Sequence, residues 1–116
     1  MNRADVVLAR CSQGGKSYGM RFEETQPRHW SVTWAFALGV EAAAREGYKG
    51  STLEGELELA DCFPGCPHCA ARSFVLCGSC DRVGCSAIDA TWFDCPWCPN
   101  DGPIAGSISR LKTVGD

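Results

Sequence analysis

The sequence predicts an α+β fold: a small antiparallel β-sheet carrying one short helix, followed by a cysteine-built module of treble-hairpin form. Three observations lead there. Apolar and polar residues alternate with a period of two through much of the first 60 positions. One run of strong helix formers, residues 41–46, interrupts that alternation. Eight of the nine cysteines then fall between Cys62 and Cys98. At 116 residues the chain has the size of one domain. Residues 1–60 are expected to form the sheet and helix, 61–100 the module and 101–116 a tail, together one compact domain.

The elements follow in order. Val6, Val7, Leu8 and Ala9 make an apolar run that reads as a strand buried on both faces, and Gly14-Gly15 signals a turn. Tyr18, Met20 and Phe22 alternate with Gly19, Arg21 and Glu23, so the first two strands form a hairpin. After Pro27 comes the strongest alternation. Trp30, Val32, Trp34, Phe36 and Leu38 are placed on one face, and each large aromatic there would bury ~150–250 Å². The 41–46 run ends at Gly47 and gives about two helical turns. Residues 52–59 predict a fourth strand, with Leu53, Leu57 and Leu59 inward and Glu54, Glu56 and Glu58 on a solvated face. A short segment, 104–114, is expected to return onto the sheet.

The cysteines carry the chemistry. Three Cys-x2-Cys pairs occur, Cys66/Cys69, Cys77/Cys80 and Cys95/Cys98. Two residues between thiolates make a tight turn that aims both sulfurs at one tetrahedral ion. Residues 70–76 read as extended and carry the chain ~20 Å from the first pair to the second. Residues 81–87 run back, and Thr91-Trp92-Phe93 returns to the third pair. The second and third pairs therefore share an end, and Cys77, Cys80, Cys95 and Cys98 form one zinc-ribbon-like site. Cys85 lies partway back toward the first pair, so Cys66, Cys69 and Cys85 belong to a second. Its fourth ligand is expected to be Cys62, four residues before Cys66, ahead of Cys11 and His68. For those two, a thiol packed in the sheet and a solvent-facing ring are the simpler readings. Two Zn²⁺ are expected.

Charge and targeting narrow the function. Met1-Asn2-Arg3-Ala4-Asp5 leads into an apolar run that breaks at Arg10, and no run approaches the ~18 residues that cross a bilayer. The chain is therefore expected inside the cell, away from membranes, where a reducing compartment favours metal over disulfides. Formal charge is −3, and two zinc-tetrathiolate sites would take it to about −7. So acidic a surface is a poor match for phosphate backbones, and nucleic acid is not expected as a partner. Nor is an enzyme expected. The chain has only His29 and His68, no Cys–His–Asn/Asp set, and a Gly14-Gly15-Lys16-Ser17 run without the upstream glycine of a phosphate loop.

Several runs together resemble a known family: Tyr18-Gly19-Met20-Arg21-Phe22-Glu23-Glu24, Trp34-Ala35-Phe36, Glu46-Gly47-Tyr48, Gly65-Cys66-Pro67-His68-Cys69, then Cys77, Cys80, Cys85 and Cys95-Pro96-Trp97-Cys98. Over roughly residues 8–98 the chain resembles the TerY C-terminal metal-binding domain. The resemblance implies a bacterial, cytoplasmic, zinc-ribbon-like domain that usually accompanies a von Willebrand factor A domain. It belongs to tellurite-resistance and stress-response gene clusters that also encode a kinase and a phosphatase. Where that family carries glycine after its paired cysteines, this chain has Ala70, Asp81 and Pro99. The expected function is a non-enzymatic, zinc-stabilised protein-interaction module, its partner the von Willebrand A protein, kinase or phosphatase of the same cluster. Two other classes stand beside it: a nucleic-acid-binding zinc ribbon using Arg72, Arg82, Arg110 and Lys112, and a redox- or oxyanion-responsive thiolate protein.

Overall fold

A computed structural model describes residues 4–39, 52–104, 108 and 110–112. Ten strands run through them: β1 (Ala4–Arg10), β2 (Ser17–Gln26), β3 (His29–Ala37), β4 (Thr52–Glu54), β5 (Glu56–Leu59), β6 (Ser73–Leu76), β7 (Val83–Ser86), β8 (Trp92–Asp94), β9 (Asp101–Pro103) and β10 (Arg110–Lys112). The expected α+β class is thereby corrected to all-β, because the described residues contain no helix. The helix expected at 41–46 lies outside the described residues.

Six strands form one curled, barrel-like sheet in the order β5-β3-β2-β1-β7-β6. The β1–β2 and β2–β3 pairs are the antiparallel hairpins that local alternation dictates. Two other pairs are parallel, β3 with β5 and β1 with β7, where a purely antiparallel sheet was expected. The β1–β7 pair joins the β6–β7 hairpin of the cysteine region to the first sheet. Parallel pairing links segments far apart in sequence, and no local pattern announces it.

The core lies inside the curl. Val7 and Ala9 on β1, Tyr18, Met20 and Phe22 on β2, and Trp30, Val32 and Ala35 on β3 are all buried there. The single apolar face expected for β3 is broken by a bulge. Arg21 pairs with Trp34 but Phe22 with Val32, so Thr33 is an extra residue on β3. One extra residue moves every later side chain to the opposite face. Trp34 is thrown outward, 54% exposed, and Ala35 takes the inner position. Phe36 packs outside with Leu38, Val6 and Leu8.

The expected strand over 52–59 is also broken, at Gly55. Its φ is +127°, and a Cβ there would sit 2.0 Å from the Arg28 carbonyl oxygen. The chain must turn sharply at that point, because Glu56 donates its N–H to the same carbonyl at 2.8 Å. Upstream, β4 pairs with β10 and buries Leu53 against the same core as Leu111. Downstream, β5 lies on β3 with Glu56 and Glu58 exposed. Leu59, expected inward, is 36% exposed at the edge of the sheet. A Gly55→Ala substitution is expected to destabilise the fold by about 3 kcal/mol or more, since the backbone must move to admit the methyl group. The denaturant midpoint of the metal-loaded protein measures it.

Candidate metal centres

Four turns supply seven of the eight sulfurs in the two cysteine groups, Cys85 coming from β7, and the turns share one hydrogen-bond pattern. In each, a cysteine N–H donates to the carbonyl five residues on: Cys11 to Lys16, Cys66 to Ala71, Cys77 to Arg82 and Cys95 to Asn100, at 2.8–3.0 Å. In three of them the residue four positions on donates back to the cysteine carbonyl: Gly15, Ala70 and Asp81. Those three have φ of 74°, 66° and 64°. Glycine adopts this left-handed conformation without strain, whereas Ala70 and Asp81 hold it at a cost of ~1–2 kcal/mol each. Pro99 occupies the equivalent place in the last turn and has no N–H to donate.

The Cys11 turn is thus a metal knuckle with one sulfur missing: Gly14 stands where the other turns have their second cysteine. That half-motif, Cys11-x-x-Gly14-Gly15, is the sequence signal that points to Cys11. Register supplies the rest. Parallel pairing matches Ala9 with Val83 and Arg10 with Gly84, which carries Cys11 alongside Cys85. Cys11, Cys66, Cys69 and Cys85 form one tetrad, and Cys77, Cys80, Cys95 and Cys98 the other. In each, the four sulfurs lie within 4.8 Å of one another. Cys62 is not among them. It is exposed, its Sγ 3.4 Å from the Thr33 carbonyl oxygen. The neighbouring Phe63 turns into the core and leaves Cys62 facing away. His68 is not a member either: its Nε2 lies 3.0 Å from the Ser17 carbonyl oxygen.

Sulfur spacing fits a tetrahedral ion. Four sulfurs each ~2.3 Å from a central ion stand ~3.8 Å apart. Three of the pairs here stand at such separations, 3.5 Å for Cys69–Cys85, 3.8 Å for Cys77–Cys98 and 3.6 Å for Cys80–Cys95. All nine cysteines are free thiols. Backbone amides already point at the sulfurs, as the N–H groups around metal-bound thiolates do. Ser12 N–H donates to Cys85 Sγ at 3.2 Å, His68 N–H to Cys66 Sγ and Trp97 N–H to Cys95 Sγ at 3.4 Å, and Gly14 N–H to Cys11 Sγ at 3.5 Å.

Without a cation, sulfurs this close share few negative charges. Burial pushes the Cys66 thiol up to about 11 and Cys85 up to about 12, and neighbouring cysteines add to both. Cys80 rises to about 12 through burial and the thiols of Cys95, Cys77 and Cys98. Cys98 is raised as well, the Cys95 and Cys77 thiols and some desolvation outweighing the Asn100 amide. One thiol per tetrad goes the other way. Burial raises Cys11, but the Gly14 and Gln13 amides and the thiols of Cys69 and Cys66 overcome it and lower it to about 7. Cys77 is lowered to about 6 in the same way, by the Cys80 and Ser79 amides and the thiols of Cys80 and Cys95 against burial.

The tetrads differ in depth and are tied together. Cys11, Cys66 and Cys85 belong to the main core, whereas only Cys77 of the other tetrad is buried. Arg10, next to Cys11, reaches the second site: its Nη1 donates to the Pro96 carbonyl at 3.3 Å. Trp97 lies between two guanidinium groups, Arg10 at 4.0 Å and Arg82 at 4.6 Å from its ring. Its Nε1–H donates to the Val83 carbonyl at 2.7 Å, two residues before Cys85. Arg10 is thus held at Pro96, next to Cys95, and Arg82 lies two residues after Cys80; positive charge near a tetrathiolate offsets its negative charge.

An all-β arrangement of the described residues, with two four-cysteine groups spaced for metal ions, is what this fold and these sites define. No family model, curated protein or solved structure matches the chain.

Two measurements test the geometry. Elemental analysis of Cys11→Ser is expected to show one ion lost or weakened, while Cys62→Ser keeps the full complement; an ion lost from Cys62→Ser would return that residue to the site. Two thiols in each tetrad, Cys66 and Cys85, then Cys80 and Cys98, stand above their ordinary value and hold protons at pH 7. Each bound ion should therefore displace at least two protons, read by calorimetry in buffers of different ionisation enthalpy. Affinity falls as pH falls, because protons compete for the sulfurs.

Proposed function

We propose that the chain is a non-enzymatic, zinc-stabilised protein-interaction module of the TerY C-terminal metal-binding kind, acting in the cytoplasm in a bacterial tellurite-resistance or stress-signalling assembly. The observation that carries the metal reading is the pair of all-sulfur tetrads at tetrahedral spacing. Four sulfurs around an ion leave no open position, and closed thiolate sites are structural, whereas catalytic zinc keeps a site for water or substrate. Tetrahedral sets of four thiolates suit zinc or iron, and the choice of zinc rests on the zinc-ribbon-like spacing of the Cys-x2-Cys pairs. Structural zinc contributes ~10–16 kcal/mol per site in small peptides, as much as a whole domain's stability of ~5–15 kcal/mol. A fold whose core contains one of these tetrads depends on the ion.

Interaction is supported by the apolar side chains the sheet leaves outside. Trp34, Trp92 and Ile88 are each more than half exposed. The nucleic-acid alternative is weakened, since one of its four cations, Arg82, is engaged over the Trp97 ring.

Purified protein is expected to carry two zinc ions per chain. Stripping them with a chelator should abolish the near-ultraviolet circular dichroism of the buried aromatics, and adding zinc should restore it. Mixed at micromolar concentration with the von Willebrand A protein, kinase or phosphatase of its gene cluster, the loaded chain should form a complex with one of them. If none associates, the interaction reading fails; if a different metal or none is found, the zinc reading fails.

A further inference from the structure

The six-stranded sheet does not close, and its two outer strands, β5 and β6, border a groove of about 280 Å³. We propose that this seam is a docking groove for one extended segment of a partner protein, apolar with interspersed basic residues, which adds as a strand between β5 and β6. The proposal rests on the interaction-module reading and says where and how such a partner is held.

The backbone argument comes first. Glu56 N–H donates to Arg28 and Ala60 N–H to Val32, so the even-numbered residues of β5 face β3. In a parallel pair the intervening groups point the other way. The N–H and C=O of Leu57 and Leu59 are therefore directed toward the seam. On the other side, Cys77 N–H donates to Arg82, and the antiparallel register with β7 continues through Val75↔Gly84 and Ser73↔Ser86. That alternation turns the backbone groups of Phe74 and Leu76 away from β7. No described strand pairs with either edge. Two strand edges thus direct backbone donors and acceptors into one groove, and strand addition uses such edges.

Side chains define what the segment carries. Leu57, Phe74 and Ile108 line the groove and pack on the core beneath it. Leu59 and Ile88 line it as well, 36% and 72% exposed, and they are two of the four large apolar side chains the described residues leave in solvent. Apolar side chains at alternate positions of an incoming strand would cover them. Glu58 is the one charged side chain among the described lining residues, and exposed Asp89 adjoins Ile88. No described lining residue is basic. The complement is a Lys or Arg at the positions between. Each edge strand is four residues long, which at ~3.3 Å per residue matches a segment of about four to six residues.

The test is selection of a random displayed peptide library on the folded, metal-loaded full chain, followed by NMR on the isotope-labelled protein with the enriched peptides. Enriched peptides are expected to alternate apolar and basic residues and to shift the amides of Leu57, Leu59, Phe74 and Ile88. N-methylation at residues of either parity should weaken binding about tenfold, since alternate N–H groups of a strand between two edges donate to β5 and to β6. An effect confined to one parity would overturn insertion between the two. Glu58→Lys should lose the preference for basic peptides while leaving the fold, judged by its amide spectrum, unchanged. Enriched peptides that perturb another surface, or that bind equally well when N-methylated at every position, overturn the groove and leave the interaction module standing. No enrichment on the folded protein overturns the groove; the interaction module then stands or falls on complex formation with the cluster's own proteins.

Discussion

Four sulfurs within 4.8 Å of one another make a demand that the rest of this chain is arranged to meet. As thiolates they repel, and as thiols they offer only weak hydrogen bonds to fill a polar pocket; a divalent ion resolves both conditions at once. The consequence is sharpest for Cys11, Cys66, Cys69 and Cys85, because three of these four are fully buried among the aromatic residues of the main core. Burial raises Cys66 and Cys85, and the same cysteines together with burial push Tyr18 above the ordinary range of a tyrosine. The hydrophobic core and the metal centre are therefore one structure.

The β1–β7 pair makes that union possible. It brings a cysteine from the first turn of the chain to one more than seventy positions later, and it seats Arg10 against the second tetrad. Gly84, between the Val83 carbonyl that receives Trp97 and the sulfur of Cys85, leaves just enough room for Pro96 and Phe93; a Cβ there would lie 2.7–2.9 Å from both. Through these few residues the backbone that presents one tetrad is in contact with the backbone that presents the other. The Arg10–Trp97–Arg82 stack also places two positive charges beside a group that is strongly negative once its thiols ionise. Cations close to a tetrathiolate reduce its tendency to lose ligands to protons.

The same curvature that encloses the core leaves an opening. A sheet that closed would have no edges, and this one stops with β5 and β6 on either side of a groove. Native sheets blunt such edges with short strands and charges. Here both strands are short and β5 carries glutamates, yet Leu59 and Ile88 remain in solvent. The glutamates suit both roles, discouraging self-association of an acidic chain while favouring a basic segment.

Much of this was legible in the sequence. Alternation in Tyr18, Met20 and Phe22 reads directly as a core-facing strand, because side-chain period and strand geometry are local properties. The grouping of Cys77, Cys80, Cys95 and Cys98 follows from spacing alone, since tight turns and short hairpins join them. Three features were decided elsewhere. The bulge at Thr33, which exposes Trp34, is a matter of register against β2. The break at Gly55 depends on the approach of Arg28, a contact between two turns. Cys11 replaces Cys62 in the first tetrad because a parallel pairing, with nothing local to announce it, lays Ala9 and Arg10 beside Val83 and Gly84. By itself the sequence determined the strands and the knuckles, whose causes lie within a few residues. Only the tertiary structure decided which knuckle meets which sulfur, because that depends on how distant strands pack to bury the core.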